Sequence, residues 1–140
     1  MSVEKLYDEV IRRHNRQPFH FEKKENCSHT IQANNFICGD RFDLYLELEG
    51  ELIKQAYFYG LGCAVSKASA SVLVTLMQGK SRTEAQAICD QFLRVLKNDL
   101  EVGEKLFSDD FKSFSIVHEI PARYDCAALA WIEFKKYLTH

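Results

Sequence analysis

The sequence predicts an α+β fold, a small antiparallel three-stranded sheet packed against helices, and three patterns carry that prediction. Apolar residues recur at helical spacing at the start, alternate with polar ones through the middle, and return to helical spacing in the second half. The chain opens with Val3, Leu6, Tyr7, Val10 and Ile11 on one helical face behind Ser2, a good N-cap residue. This first helix ends before Pro18. Residues 22–29 (EKKENCSH) are polar and aperiodic, an exposed connection.

Phe42, Leu44, Leu46 and Leu48 alternate with Arg41, Asp43, Tyr45, Glu47 and Glu49, which predicts a strand with one buried face. Glu49-Gly50 turns the chain, and Leu52 to Tyr59 returns as the second half of a hairpin. Ser28 to Gln32 adds the third strand. After Gly60 the residues become small and helix-forming, so Ser66 to Gln78 is a helix stopped by Gly79. Ser81-x-x-Glu84 is a capping-box match opening the next helix, whose apolar stripe is Ala85, Ile88, Cys89, Phe92 and Leu96. Residues 98–113 (NDLEVGEKLFSDDFKS) are acidic and weakly periodic, which predicts an inserted surface segment. The last helix is expected to start near Cys126 and to bury Ala130, Trp131, Phe134 and Leu138.

A chain of 140 residues that is 46% hydrophobic closes one core, so residues 1–140 are expected to form a single domain. The net charge of −2 with dispersed basic residues argues against a nucleic-acid face or an anionic-membrane anchor. The N-terminal residues mix acids and bases through their apolar positions, unlike a signal peptide or membrane span, and predict a cytosolic protein. In a reducing cytosol five cysteines point to metal binding or thiol chemistry rather than disulfides.

Three cysteines stand in informative settings. Cys38 lies in Ile37-Cys38-Gly39-Asp40, where a thiol and a carboxylate share one tight turn. Cys63 stands where a strand gives way to a helix, near unpaired N–H groups that favour a thiolate. Cys126 is read as preceding its helix in the same way, with Arg123 adding positive charge. Three thiolates and one carboxylate satisfy zinc, and they equally suit iron with sulfide. By spacing alone, three scattered core cysteines explain the sequence as well.

The segments Cys38-Gly39-Asp40, Gly60-Leu61-Gly62-Cys63-Ala64-Val65-Ser66-Lys67-Ala68-Ser69-Ala70-Ser71 and Pro121-Ala122-Arg123-Tyr124-Asp125-Cys126 resemble the three signature blocks of the IscU/NifU-like iron-sulfur cluster assembly family. The acidic segment 98–113 is similar to the insertion of the SufU branch, and Asp125 stands where classical scaffolds carry histidine, although SufU-like chains more often place a basic residue there. The resemblance implies zinc held by Cys38, Asp40, Cys63 and Cys126, or an iron-sulfur cluster in the scaffold alternative. It also implies that Cys38 accepts persulfide sulfur from a SufS-like cysteine desulfurase once a desulfurase residue replaces it on zinc; Arg123 is read either as stabilising thiolate charge or as a surface salt bridge to the acidic segment. Other cluster assembly proteins are the expected further partners. Phe36, two positions before Cys38, departs from the family's usual proline.

The remaining thiols and imidazoles have plainer readings. Cys89 falls on an apolar stripe and belongs to the core, while Cys27, two residues before His29, is an exposed bystander. His14, His20 and His140 lie in or near terminal segments and are expected to carry no chemistry. A hydrolase built on Cys63 and His118 would need an oriented base and an oxyanion site, for which no motif is present.

Overall fold

The computed structural model describes residues 2–139; His140 lies outside them. Helix α1 (Val3–Arg16) starts where expected, with the Ser2 hydroxyl accepting the Lys5 N–H at 3.2 Å. It turns Tyr7 and Val10 into the core. Strands β1 (His29–Asn35), β2 (Asp40–Glu49) and β3 (Leu52–Leu61) form an antiparallel meander. A fourth strand, β4 (Lys80–Ser81), pairs with the start of β3, so the sheet has four strands in the order β1-β2-β3-β4 rather than the three expected. Two residues between helices are too few to show any period, which is why β4 leaves no trace in the sequence.

Ile31 and Ala33 of β1 pair with Leu44 and Phe42 of β2, which in turn pair with Phe58 and Gly60 of β3. Ile31, Ala33, Phe42, Leu44 and Phe58 are buried on the core face of the sheet, against which the helices pack. The period of two places Asp40 on that same face, at the end of the row Asp40, Phe42, Leu44, Leu46. A carboxylate therefore enters the core.

Helix α2 (Ala64–Met77) follows β3 directly, and α3 (Arg82–Leu96) opens with the predicted capping box between Ser81 and Glu84. Helix α5 (Pro121–Leu138) begins five residues earlier than expected, so Cys126 lies inside the helix instead of preceding it. Proline is favoured at the first helical position, and Pro121 was the readable signal. A buried chain of polar groups locks α5 to α2: the Trp131 indole N–H donates to Ser69 Oγ at 2.9 Å, and Ser69 donates to the Ala127 carbonyl.

The segment 98–113 is not wholly at the surface. Its end forms the short helix α4 (Asp109–Ser113), and a 3-10 turn continues through Phe114–Glu119. Phe111, Ser113, Phe114 and Val117 are buried, with Phe111 and Phe114 both edge-on to Phe92. The acidic residues around these aromatics mask the apolar pair spaced three apart. His14 also exceeds its expected role: its two ring nitrogens lie 2.8 Å from Ser71 Oγ and 3.0 Å from Asp110 Oδ2, joining α1, α2 and α4. Among the described residues, no helix is long and apolar enough to cross a membrane.

Candidate metal centre

The β1–β2 hairpin supplies the first two groups. Asn35 pairs with Asp40, so Phe36, Ile37, Cys38 and Gly39 close the turn. Gly39 N–H donates to the Asn35 carbonyl at 2.8 Å, and Gly39 takes φ +77°, a left-handed value that a side chain would strain. The Cys38 sulfur is thereby carried on an exposed loop, while Asp40, one residue into β2, is 0% exposed.

The end of β3 supplies the third group. Gly62 has no room for a side chain, because a Cβ there would lie 2.5 Å from both the Phe42 ring and Ser66 Oγ. That close approach brings the Cys63 N–H to Asp40 Oδ1 at 3.0 Å and Ser66 Oγ to the same oxygen at 3.1 Å. The Cys63 sulfur caps α2, accepting the Ser66 N–H at 3.4 Å. Both donors converge on one carboxylate oxygen of Asp40. The other, Oδ2, is buried and has no hydrogen-bond partner among the described residues.

Helix α5 supplies the fourth group from its second turn. The sulfurs of Cys38 and Cys126 and a carboxylate oxygen of Asp40 all lie within 4.8 Å of one another. Cys63 adjoins this trio through its N–H bond to Asp40, but its sulfur, turned to the helix cap, is not part of it. Burial pushes the Cys126 thiol well above its usual range, and the neighbouring Cys63 and Asp40 push it further. This reverses the sequence expectation of a thiol activated by a helix start and by Arg123. A buried acidic oxygen without a donor, together with a nearby thiol, Cys126, whose anion burial disfavours, is an arrangement that a divalent cation satisfies. The donor set, thiolate sulfur with one carboxylate oxygen, fits zinc.

Other predicted residues lie apart from the trio. Arg123 is exposed on the first turn of α5, with its guanidinium 5.9 Å from the centre of the Tyr7 ring. Asp125 is exposed along a groove with Phe36, Ile37, Leu129 and Ile132. Cys89 is buried in the core and its thiol is raised by that burial. Cys27 contacts the His29 carbonyl at 3.4 Å and Thr30 Oγ1 at 3.1 Å, and the His29 ring stacks on Tyr137 instead of turning to the thiol. His118 lies 2.6 Å from the Ser115 carbonyl. Sequence reasoning missed Ser66, which only its place three residues past Cys63 marks as a capping partner.

Known proteins resemble this chain in sequence and in fold. The family model of the NifU-like N-terminal domain matches residues 6–104. The zinc-dependent sulfurtransferase SufU of Bacillus subtilis (strain 168) is 31% identical over 135 residues, covering 96% of this chain and 90% of that protein. The iron-sulfur cluster assembly scaffold protein IscU of Streptococcus pyogenes serotype M1 is 30% identical over 131 residues, covering 94% and 81%. A crystal structure described as an iron-sulfur cluster assembly scaffold protein for the SUF system, from Fervidobacterium islandicum AW-1, superposes with a TM-score of 0.81. It has 26% identity over 98% of this chain and 99% of that one.

Proposed function

The chain belongs to the NifU-like N-terminal domain family of iron-sulfur cluster assembly proteins, and on that footing we propose that it is a zinc-dependent sulfur acceptor serving a cysteine desulfurase. The observation that carries this reading is the divided Asp40 carboxylate. One oxygen is held by Cys63 N–H and Ser66 Oγ, the other is buried without a donor, and the carboxylate lies in one cluster with the Cys38 and Cys126 sulfurs. Cys38, Asp40, Cys63 and Cys126 are the proposed ligands. Zinc, when bound, keeps cysteine sulfur deprotonated at neutral pH and brings no redox chemistry of its own.

In this reading Asp40, Cys63 and Cys126 are the anchors, because each is tied to a strand or helix. Cys38 is the acceptor, because it rides an exposed turn that a partner can reach. Its thiolate attacks the terminal sulfur of the desulfurase persulfide. A new S–S bond forms on Cys38 as the donor's S–S bond breaks, and the desulfurase cysteine leaves as a thiolate, with no net oxidation or reduction. Arg123 is the proposed cation near the site, with its guanidinium over the Tyr7 ring. A SufS-like desulfurase is the proposed donor.

A second reading, a scaffold that assembles and transfers an iron-sulfur cluster on the same residues, draws on the near-equal identity to a relative named IscU. The test adds the zinc-loaded protein to a cysteine desulfurase and follows alanine release, with mass spectrometry of Cys38. The sulfur-acceptor reading expects a faster rate and one added sulfur on Cys38, both lost in Cys38→Ser. An unchanged rate, together with visible absorption and cluster transfer after anaerobic reconstitution, would establish the scaffold instead.

A further inference from the structure

Two thiols of the metal centre face each other from opposite sides. Cys38 rides the exposed β1–β2 turn, whereas Cys126, only 7% exposed, is fixed in the second turn of α5. Their sulfurs lie within 4.8 Å of each other. A disulfide sets its sulfurs about 2.05 Å apart, so the pair would bond after an approach of less than about 3 Å. That movement falls to the turn, since Cys126 is packed within a helix.

The other described thiols are placed differently. The Cys63 sulfur is turned to the α2 cap, where it accepts the Ser66 N–H at 3.4 Å, and lies outside the cluster. Cys27 precedes His29 at the far end of β1, whose near end, Asn35, opens the Cys38 turn. Cys89 is buried in the core on α3. Cys126 is therefore the thiol that can meet a sulfur carried on Cys38.

We propose that Cys126 is a resolving residue, whose thiol in the metal-free chain discharges a Cys38 persulfide as hydrosulfide. This rests on the sulfur-acceptor reading above. The Cys126 sulfur attacks Cys38 Sγ. A Cys38–Cys126 S–S bond forms as the bond from Cys38 to the carried sulfur breaks, and that sulfur leaves as hydrosulfide with the proton of Cys126. The exchange that oxidises the Cys126 thiol reduces the departing sulfur, so no outside reductant enters. The donor reaches Cys38 from solvent and Cys126 from the core, which sends the leaving sulfur outward. Burial, which disfavours the Cys126 thiolate, makes the exchange slow. With Cys126 engaged as a zinc ligand the exchange is blocked, so metal occupancy decides whether the sulfur is kept as persulfide or shed.

The test charges the zinc-loaded protein on Cys38 with a cysteine desulfurase and cysteine, removes the donor by gel filtration without air, and then adds a chelator. Hydrosulfide is measured with no thiol present, and unreduced peptides are mapped by mass spectrometry. Chelation should release about one hydrosulfide per persulfide and leave a Cys38–Cys126 cross-link, while the sample kept in zinc retains its persulfide. In Cys126→Ser, charged with inorganic polysulfide, the persulfide should persist and its loss should slow roughly tenfold or more, whereas Cys27→Ser should match wild type. A wild-type persulfide that survives chelation overturns the proposal, and so does hydrosulfide released without the cross-link or the carried sulfur found on Cys126. These readings are made on wild type and hold even if Cys126→Ser folds poorly. If the desulfurase fails to charge Cys38, the acceptor reading fails. The exchange is then read on metal-free wild type charged with inorganic polysulfide, where a missing cross-link overturns it separately.

Discussion

Asp40 shows how one residue can be a fold element and a site element together. Its place in the alternating row of β2 carries it inward, and the cost of burying a carboxylate is offset on one oxygen by Cys63 N–H and Ser66 Oγ. Asp40→Asn keeps an acceptor for those two donors and removes the anionic oxygen. We expect the variant to fold, with a far-ultraviolet spectrum like wild type, and to lose most of its zinc by elemental analysis; full zinc retention would remove Asp40 from the ligand set. At this scale the sequence was informative where chemistry sits in a local motif. Cys38, Gly39 and Asp40 could be read from a single tetrapeptide. The charge state of Cys126 could not, because it depends on burial beneath elements far away in sequence.

Single elements fix where these residues meet. The approach of β3 to α2 depends on Gly62, whose missing side chain leaves room for the Phe42 ring and Ser66. Gly62→Ala should cost about 1–3 kcal/mol through overpacking. It should also lower metal retention by pushing Ser66 from Asp40, as read by thermal melting and chelator competition. A melting temperature and metal content equal to wild type would show that the contact is slack. The segment 98–108 is held to α3 differently, through Arg94, whose two terminal nitrogens lie 3.1 and 2.6 Å from the Glu104 carboxylate oxygens. Hydrogen bonds from Arg94, then Gln91 and the Glu101 backbone, hold the Glu104 carboxyl below its ordinary 4.5, at about 2. Its folded value being the lower one, Glu104 contributes stability above about 4.5, and that contribution is lost as pH falls toward about 2. Amide protection across 98–108, relative to the intrinsic exchange rate at each pH, should therefore fall over that window in wild type, and Glu104→Gln should flatten the pH dependence. Identical pH profiles would contradict it. Helices with a full apolar stripe and a cap were legible. The two-residue strand and the aromatic pair within an acidic run were not, since neither extends long enough to set a period.

For the molecule as a whole, the central hairpin was readable because β2 carries its own alternation and Glu49-Gly50 its turn, whereas the helix packing was not. The Trp131–Ser69–Ala127 chain joins residues 62 and 58 positions apart, and no local pattern announces it. Ser69→Ala leaves the buried indole N–H without its acceptor and should cost roughly 1–3 kcal/mol, lowering the melting temperature while the Asp40 contacts persist. An unchanged melting temperature would mean that the indole finds another partner. The fold thus brings a hairpin turn, a strand end and the second turn of the last helix to one point, and the account stands on what that point binds. The most direct measurement is elemental analysis of the protein purified without air, taken together with its absorption spectrum. The account predicts about one zinc per chain and a colourless protein, with the zinc lost in Cys63→Ala. Iron with sulfide and a visible cluster spectrum in place of zinc would contradict it.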